Sequence, residues 1–418
     1  MSFPYSLIVR LLVTLVVLLL VQLSCSGPGT VSPPDQPSIA PTVLLVSIDG
    51  FHPSYLDQFE APTLSALANA GVRSKGLIPV FPTKTFPNHY SIVTGLYPAQ
   101  HGIVANTMYD PEFDARFSLG NRDAVTDARW WDGEPIWVTA ERQGQRAGTY
   151  FWPGSEAPIG GIRPSYWKVY DGSVPGEARV DQVLGWLDLQ AEERPTFLTL
   201  YFSEVDNAGH DFGPDALETG EAVANVDRHM ARLVRGLRER GLLSQIQLLI
   251  VSDHGMTPLY ADRTIPIHDY IDMDDVQVVD RSPILALRPK PSKADAIFEQ
   301  LDGAHPQLKV YRKGTLPERL HYDGHRRIHD LIGIAEEGWT ITTRPSTNGW
   351  APSGGTHGYD NALPSMHALF IGHGPAFTQG AVIEPFENIH LYSLMTHLLN
   401  LTPAPNVGDF KQIDGLLR

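Results

Sequence analysis

Three short apolar runs, each closed by an aspartate, constrain this chain more than any other feature. They are VLLVSI at 43–48, FLTLYFSEV at 197–205 and IQLLIVS at 246–252; a fourth run of the same kind, MHALFIG, lies at 366–372. Each is nearly continuous and rich in β-branched or aromatic residues, which suits a strand covered on both faces of a parallel sheet. Helical patterns lie between them, at 61–70 closed by Gly71 and at 216–240 closed by Gly241. This alternation predicts an α/β fold with a mostly parallel central sheet flanked by helices. In such sheets functional groups collect beyond the carboxyl ends of the strands. Asp49 follows the first run, Asp206 the second and Asp253–His254 the third, so three strands are expected to deliver an acid to one edge. One aspartate after a strand is more often a turn former or helix cap. Three of them, each soon followed by glycine and two accompanied by histidine, point to a site.

Residues 258–350 read differently. They hold the polar stretch RPKPSKA, a helix-like segment at 293–303 and scattered short strands, the pattern of a small inserted α/β subdomain. The N-terminus carries Arg10, the apolar stretch LLVTLVVLLLVQL at 11–23 and then SCSGPG. A charge, an apolar stretch and small residues make a signal peptide. Cys25 also resembles a bacterial lipoprotein acylation site, although Gln22 departs from that pattern, and an uncleaved membrane anchor is the third alternative. The expected organisation is a signal or lipoprotein signal at 1–25, a Pro-rich linker at 26–41 and a catalytic domain at 42–418, exported and either periplasmic or membrane-anchored.

Charge narrows the ligand class. The 418 residues include 32 Lys+Arg against 47 Asp+Glu, a net charge of -15. Such a chain is a poor non-specific binder of nucleic acid, because nothing neutralises phosphates broadly. An anionic substrate must then be attracted locally, and bound cations are the obvious source. With 16 histidines and one cysteine, metal chemistry would rest on imidazole and carboxylate.

The blocks SIDGF (47–51), VDNAGHDFG (205–213), SDHGM (252–256) and GGTHGYDN (354–361) supply Asp49, Asp206, His210, Asp253, His254 and His357. Mixed N/O ligation of this kind suits zinc, three protein ligands to an ion. Asp206 and His210 are four apart, so one helical turn could aim both at one ion. A further block, FPTKTFPNHYSIVTGLYPAQHGIVAN (81–106), contains Thr85. A threonine is a poor nucleophile until a metal depresses its pKa. The plainer role for Thr85 is N-cap of a helix beginning near Pro87, and the two are compatible, since a helix N-terminus also offers N–H groups to phosphate.

These blocks resemble the nucleotide pyrophosphatase/phosphodiesterase family of the alkaline phosphatase superfamily. The resemblance runs from about Val43 to Phe377 and takes in GTYFWPGS (148–155) and KVYDGSVP (168–175). It implies an alkaline phosphatase-like fold and two zinc ions per chain, one held by Asp49, Asp253 and His254, the other by Asp206, His210 and His357. Thr85 would be the nucleophile, bound to the first zinc and passing through a phosphothreonine. Asn106 would donate to a phosphoryl oxygen, with the Thr85–Phe86 backbone amide also available. Phe86, Tyr170 and Tyr201 match aromatic positions that line a nucleoside pocket. The implied substrate is a nucleotide or other small phosphodiester, cleaved to a nucleoside 5′-monophosphate, with no specific nucleic-acid complex and with membrane attachment only through the N-terminus. The chain lacks room and cysteines for the extra domains of vertebrate members, so it resembles the compact bacterial form. His52, His89, His101, His367 and His373 lack ligand positions and are expected to be structural. The competing readings are a phosphodiesterase for lipid or choline-type esters, a monoester phosphatase, and a non-catalytic exported binding protein.

Overall fold

The structure, a computed structural model, describes residues 39–345 and 350–418. The signal-like segment, Cys25 and the linker up to residue 38 lie outside the described residues. Among the described residues no helix is long and apolar enough to cross a membrane.

The strands that frame the site and its insertion are β1 (Val43–Ile48), β2 (Val72–Ser74), β3 (Ala147–Tyr150), β4 (Tyr166–Trp167), β5 (Phe197–Phe202) and β6 (Gln247–Val251), then β7 (Val276–Asp280), β8 (Ile284–Pro289), β9 (Leu308–Arg312) and β10 (Leu331–Ala335), and last β11 (Phe370–His373) and β12 (Ala381–Ile383). An eight-stranded sheet takes the order β12-β2-β11-β6-β1-β5-β3-β4. β1 lies between β5 and β6, parallel to both. Its side chains alternate between two cores. Val43 and Leu45 face one, with Phe81, Tyr90 and Trp137; Leu44, Val46 and Ile48 face the other, with Val180, Leu233 and Phe202. All five are fully buried, and each contributes about 1.5–3 kcal/mol relative to exposure. A continuous apolar strand is the signature of a sheet covered on both faces.

The fourth apolar run behaves differently from the other three. Only its second half, Phe370–Gly372, enters the sheet, and β11 runs antiparallel to β6 and to β2. It arrives from the inserted segment without a crossover helix, and a parallel entry would need one. The second run is also shorter than its apolar text. β5 ends at Phe202, and SEV belongs to the next turn and helix.

The helices that matter for the site are α1 (Pro62–Ala70), α2 (Thr85–Thr94), α3 (Gly176–Leu187), α4 (Glu204–Phe212) and α5 (Leu217–Glu239), with α6 (Ala294–Leu301) in the insertion. α1 starts on Pro62, whose missing N–H is no loss at that position. The Asp227 carboxylate of α5 accepts from the Thr63 and Leu64 amides, which caps α1 across the core. Gly71 ends α1 where a Cβ would lie 2.1 Å from the Gly372 carbonyl oxygen, so only glycine fits. Between residues 258 and 350, β7, β8, β10 and β9 form an antiparallel sheet. α6 covers it around Leu285, Leu287, Ile297 and Leu301.

The register fixes the site. Ile48 pairs with Phe202, and Ser47 with Val251. Three central strands therefore end level, and the residues after each of them emerge at one edge.

Candidate metal centre and substrate cleft

Asp49 follows β1, Asp253 and His254 follow β6, and Asp206 and His210 lie one turn apart on α4, which begins directly after β5. His357 comes from the chain returning out of the insertion. Close packing of these segments needs Gly50, which has φ 68° and whose Cβ would meet Asp206 Cα at 2.9 Å. The six side chains fall into two groups, Asp49/Asp253/His254 and Asp206/His210/His357, with ligand-type atoms in each within 4.8 Å of one another.

Each histidine is oriented by a backbone carbonyl. Nδ1 of His210 lies 3.0 Å from the Gly355 oxygen, that of His254 2.9 Å from Gly255, and that of His357 2.8 Å from Thr83. A carbonyl only accepts, so Nδ1 carries a hydrogen and each Nε2 turns inward. Nε2 of His254 then lies 3.0 Å from Asp253 Oδ2 and 3.4 Å from Asp49 Oδ1; Nε2 of His210 and of His357 lie 3.5 and 3.8 Å from Asp206 Oδ1. These three carboxylate oxygens are buried with no hydrogen-bond partner. Buried polar atoms are normally satisfied. Carboxylate oxygens and imidazole lone pairs converging on two points fit divalent cations, and the mixed N/O donors suit zinc.

The protonation equilibria of the protein alone show the same tension. Burial pushes the Asp49 carboxyl well above its ordinary value, and the Asp253 and Asp206 charges add to it. Burial also raises Asp206. Asp253 is buried too, but the adjacent His254 and His89 outweigh that and hold it well below. His357 is driven well below the usual imidazole range by burial and by His254 and His210, which keeps its ring neutral. The rings of His254 and His357 stack at 3.5 Å, tying the two groups together.

Thr85 is the first residue of α2, and its Oγ1 lies 3.5 Å from His254 Nε2. The helix starts at Thr85, not near Pro87, and extended Lys84 is its N-cap residue. Pro87 sits in the first turn, where its absent N–H has no helical partner to lose. The Phe86 amide donates to Asn106 Oδ1 at 2.9 Å. That corrects one expectation: this amide holds Asn106 and is not open to a phosphoryl oxygen. Because the amide can only donate, the Asn106 oxygen faces it and the side-chain nitrogen is left as the donor. Lys84, the cation nearest Thr85 in sequence, is paired with Asp280 at the end of β7, and both side chains are largely buried.

Beside the Asp49 group opens a cleft of about 200 Å³. Phe86, Tyr170 and Tyr201 all line it, but not alike. Tyr170 is 43% exposed and Tyr201 only 8%; the Tyr201 hydroxyl donates to Asp49 Oδ2 at 2.6 Å. Tyr201 is thus part of the cleft wall and also holds the Asp49 carboxylate. Sequence reasoning missed Phe151, Trp152 and the Arg122–Glu156 ion pair, which also line the cleft; the segment GTYFWPGS was the signal for the first two. From the sequence His89 is expected to be structural, and its contacts are those of a brace. His89 is fully buried and bonds to the Thr85 carbonyl at 2.9 Å and to Ser47 Oγ at 2.8 Å, with Asp253 Oδ2 at 3.4 Å. It braces Thr85 and stands beside a carboxylate of the centre. His52 instead bonds Ser54 and the Pro364 carbonyl, and His101 bonds Ser91, away from the two groups. His367 and His373 also stand outside both groups.

Residues 43–360 match the family model described as type I phosphodiesterase/nucleotide pyrophosphatase. The chain is 43% identical over 391 residues to ectonucleotide pyrophosphatase/phosphodiesterase family member 1 of Mus musculus, covering 91% of this chain and 43% of that protein. It is 38% identical to family member 5 of Homo sapiens over 96% of this chain and 82% of that protein. It is 41% identical to a venom phosphodiesterase of Macrovipera lebetinus over 90% of this chain and 45% of that protein. The chain thus spans under half the length of several relatives it matches. Among solved structures, murine ectonucleotide pyrophosphatase/phosphodiesterase 5 superposes with a TM-score of 0.86 at 39% identity, covering 90% of this chain and 100% of that one. An inactive variant of that protein in complex with AMP gives the same TM-score and coverage.

Proposed function

The chain belongs to the type I phosphodiesterase/nucleotide pyrophosphatase family, with its alkaline phosphatase-like fold, and from that premise we propose that it hydrolyses nucleotide phosphodiester and pyrophosphate bonds through a phosphothreonine at Thr85. The observation that carries this reading is the position of the Thr85 hydroxyl against two Asp/His groups whose inward carboxylate oxygens are buried and unpartnered. Two zinc ions, one on Asp49, Asp253 and His254 and one on Asp206, His210 and His357, would lower the pKa of the Thr85 hydroxyl and neutralise charge on the attacking and leaving oxygens.

The chain's own residues do the rest. Thr85 Oγ1 forms a bond to phosphorus as the bond to the leaving oxygen breaks. Water then cleaves the phosphothreonine, regenerating the hydroxyl and releasing a nucleoside 5′-monophosphate. The N-terminus of α2 presents a partial positive charge to the phosphate. Asn106 donates from its side-chain nitrogen to a non-bridging oxygen, held in that sense by the Phe86 amide. Phe86 and Tyr170, on the cleft walls, hold the base between aromatic faces, worth about 1–3 kcal/mol and nearly independent of base identity. The same reading takes residues 1–25 as an export signal, in keeping with relatives named as ecto- and venom enzymes. A monoester phosphatase is disfavoured because Lys84 is committed to Asp280.

The test compares p-nitrophenyl thymidine 5′-monophosphate with p-nitrophenyl phosphate on zinc-loaded protein. Only the diester should turn over efficiently. Thr85→Ala should remove nearly all activity while about two zinc ions per chain remain, and Thr85→Ser should keep measurable activity. Full activity in Thr85→Ala would sink the covalent route; no turnover of any phosphodiester would favour a binding protein.

A further inference from the structure

Arg179, in the first turn of α3, is 2% exposed. Buried guanidinium groups ordinarily meet a carboxylate. The hydrogen-bond acceptors of this one are backbone carbonyls. Nε donates to Val174 O at 2.9 Å, Nη2 to Gly172 O at 3.2 Å and Nη1 to Tyr201 O at 2.9 Å. Its carbon centre also lies 5.2 Å from the centroid of the Phe151 ring, on its face.

Two of these four partners line the cleft, and the other two lie in the loop that carries one of its walls. Gly172 and Val174 sit in the loop that carries Tyr170. Tyr201 and Phe151 stand in the cleft wall, and the Tyr170 ring packs edge-on to both, at 6.1 and 5.0 Å. Phe151 has φ 62°, a left-handed backbone that a bulky residue adopts only where its surroundings hold it. Thr199 Oγ1 bonds its carbonyl at 3.1 Å, and Arg179 lies over its ring.

We propose that Arg179 is the positioning residue of the cleft's aromatic wall, tying the Tyr170 loop, the end of β5 and Phe151 into one rigid face for the substrate's base. The inference rests on the reading of the cleft as a nucleotide site. Arg179 does not touch the substrate. It acts through Tyr170: the Tyr170 amide bonds Glu156 Oε1 at 3.1 Å, while the Asp171 carboxylate accepts from Ser173 and its carbonyl from the Val174 amide, both within the loop. A planar fork with donors in three directions suits this task, and an ammonium cannot reach three divergent carbonyls.

The experiment uses the zinc-loaded full chain, with p-nitrophenyl thymidine 5′-monophosphate as the nucleotide probe and bis-p-nitrophenyl phosphate as the base-free one. Arg179→Lys should raise KM for the nucleotide roughly 5- to 30-fold, the lower part of the range open to loss of one stacking face. Its kcat should move little, and the base-free substrate should lose much less. In a Tyr170→Ala background the Arg179→Lys effect should largely vanish, because the two act on one contact. Equal losses on both substrates, or full additivity with Tyr170→Ala, would overturn the proposal and leave Arg179 a core residue. If Tyr170→Ala alone fails to change the ratio of the two substrates, the nucleotide reading of the cleft is what fails. Arg179→Met, which keeps the buried stem, serves if the lysine variant does not fold; failure of both to fold would assign Arg179 to folding and overturn the proposal.

Discussion

Replacing Tyr201 by phenylalanine separates two jobs that one side chain performs. The ring lines the cleft, and the hydroxyl, 2.6 Å from Asp49 Oδ2, is the donor that holds that carboxylate. Tyr201→Phe keeps the ring and deletes the donor. Asp49 Oδ1 has no partner of its own, so the carboxylate loses its link to the cleft wall. Two effects then oppose each other. Without the donor the carboxylate is more basic, which favours a cation; without its anchor it can rotate out of line, which disfavours one. A hydrogen bond to a charged group is worth about 1.5–3 kcal/mol. Substitutions just behind metal ligands typically cost about 10- to 100-fold in affinity or activity. At about 1.4 kcal/mol per tenfold the two figures agree, so loss of orientation should dominate. Tyr201→Phe is therefore expected to weaken metal binding at the Asp49 group about 10- to 100-fold. Titrating apoprotein with zinc against a chelator of known affinity measures this. The ratio of kcat/KM for a nucleotide to that for bis-p-nitrophenyl phosphate should stay near wild type, since the ring remains, whereas Tyr201→Leu should change both quantities. Zinc affinity equal to wild type in Tyr201→Phe would refute the claim that the hydroxyl holds Asp49.

Asp280→Asn should leave the Lys84 ammonium buried and unpaired, with side-chain exposures of 8% and 14% for the pair, at a cost of about 3–5 kcal/mol. Denaturant unfolding of zinc-loaded protein checks it, and an unchanged midpoint would count against the pair as a tether between the insertion and the Thr85 turn. Burial, with the nearby His325 charge, pushes His101 down from 6.5 to about 3. Its Nδ1 also accepts from the Ile103 amide, so a proton there would face a donor. The unfolded chain takes up that proton below about pH 6.5 and the folded chain only near 3. The stability this neutral ring confers is therefore complete above about pH 6.5 and is lost as pH falls, by about 4–5 kcal/mol across the window. His101→Gln should flatten the stability profile between pH 7 and 4; wild-type and variant curves that run parallel would rule this out.

The strand ends were legible because a strand buried on both faces leaves a uniform apolar text, and in a parallel sheet the residue after such a strand emerges at a known edge. Asp49, Asp206 and Asp253 needed only that rule. β11 was legible as a strand but not in its direction, since antiparallel entry depends on the route out of the insertion. Other features depend on partners far away in the chain. Lys84 meets Asp280 196 residues on, and His89 meets Ser47 42 residues back. No local pattern distinguishes such a histidine from one that fills core. The start of α2 lies earlier than its proline suggests, because proline marks a first turn without stating which position of that turn it occupies. Phe151 and Arg179 show the same limit: their text could be read, but not the left-handed turn that aims one or the three carbonyls that claim the other.

Charge at the centre supports the proposed preference for diesters. Three aspartates contribute -3, and histidines whose Nε2 lone pairs ligate cations are neutral. With two divalent cations bound as proposed and the Thr85 hydroxyl still protonated, the sum would be +1. A phosphodiester carries one negative charge and brings the centre to neutrality. On the proposed route the intermediate would keep that balance, because a nucleotidyl group on Thr85 would again be a diester with one charge. Both steps therefore act on a monoanion. A phosphate monoester would bring two charges at the start and again at the phosphothreonine, and the nearby cations are committed, Lys84 to Asp280 and Arg122 to Glu156. On that route the dianion would arise only at the end, when the second step frees a nucleoside 5′-monophosphate. Its extra charge then opposes retention in a centre balanced for one, so the electrostatics that admit the substrate also favour release of the product.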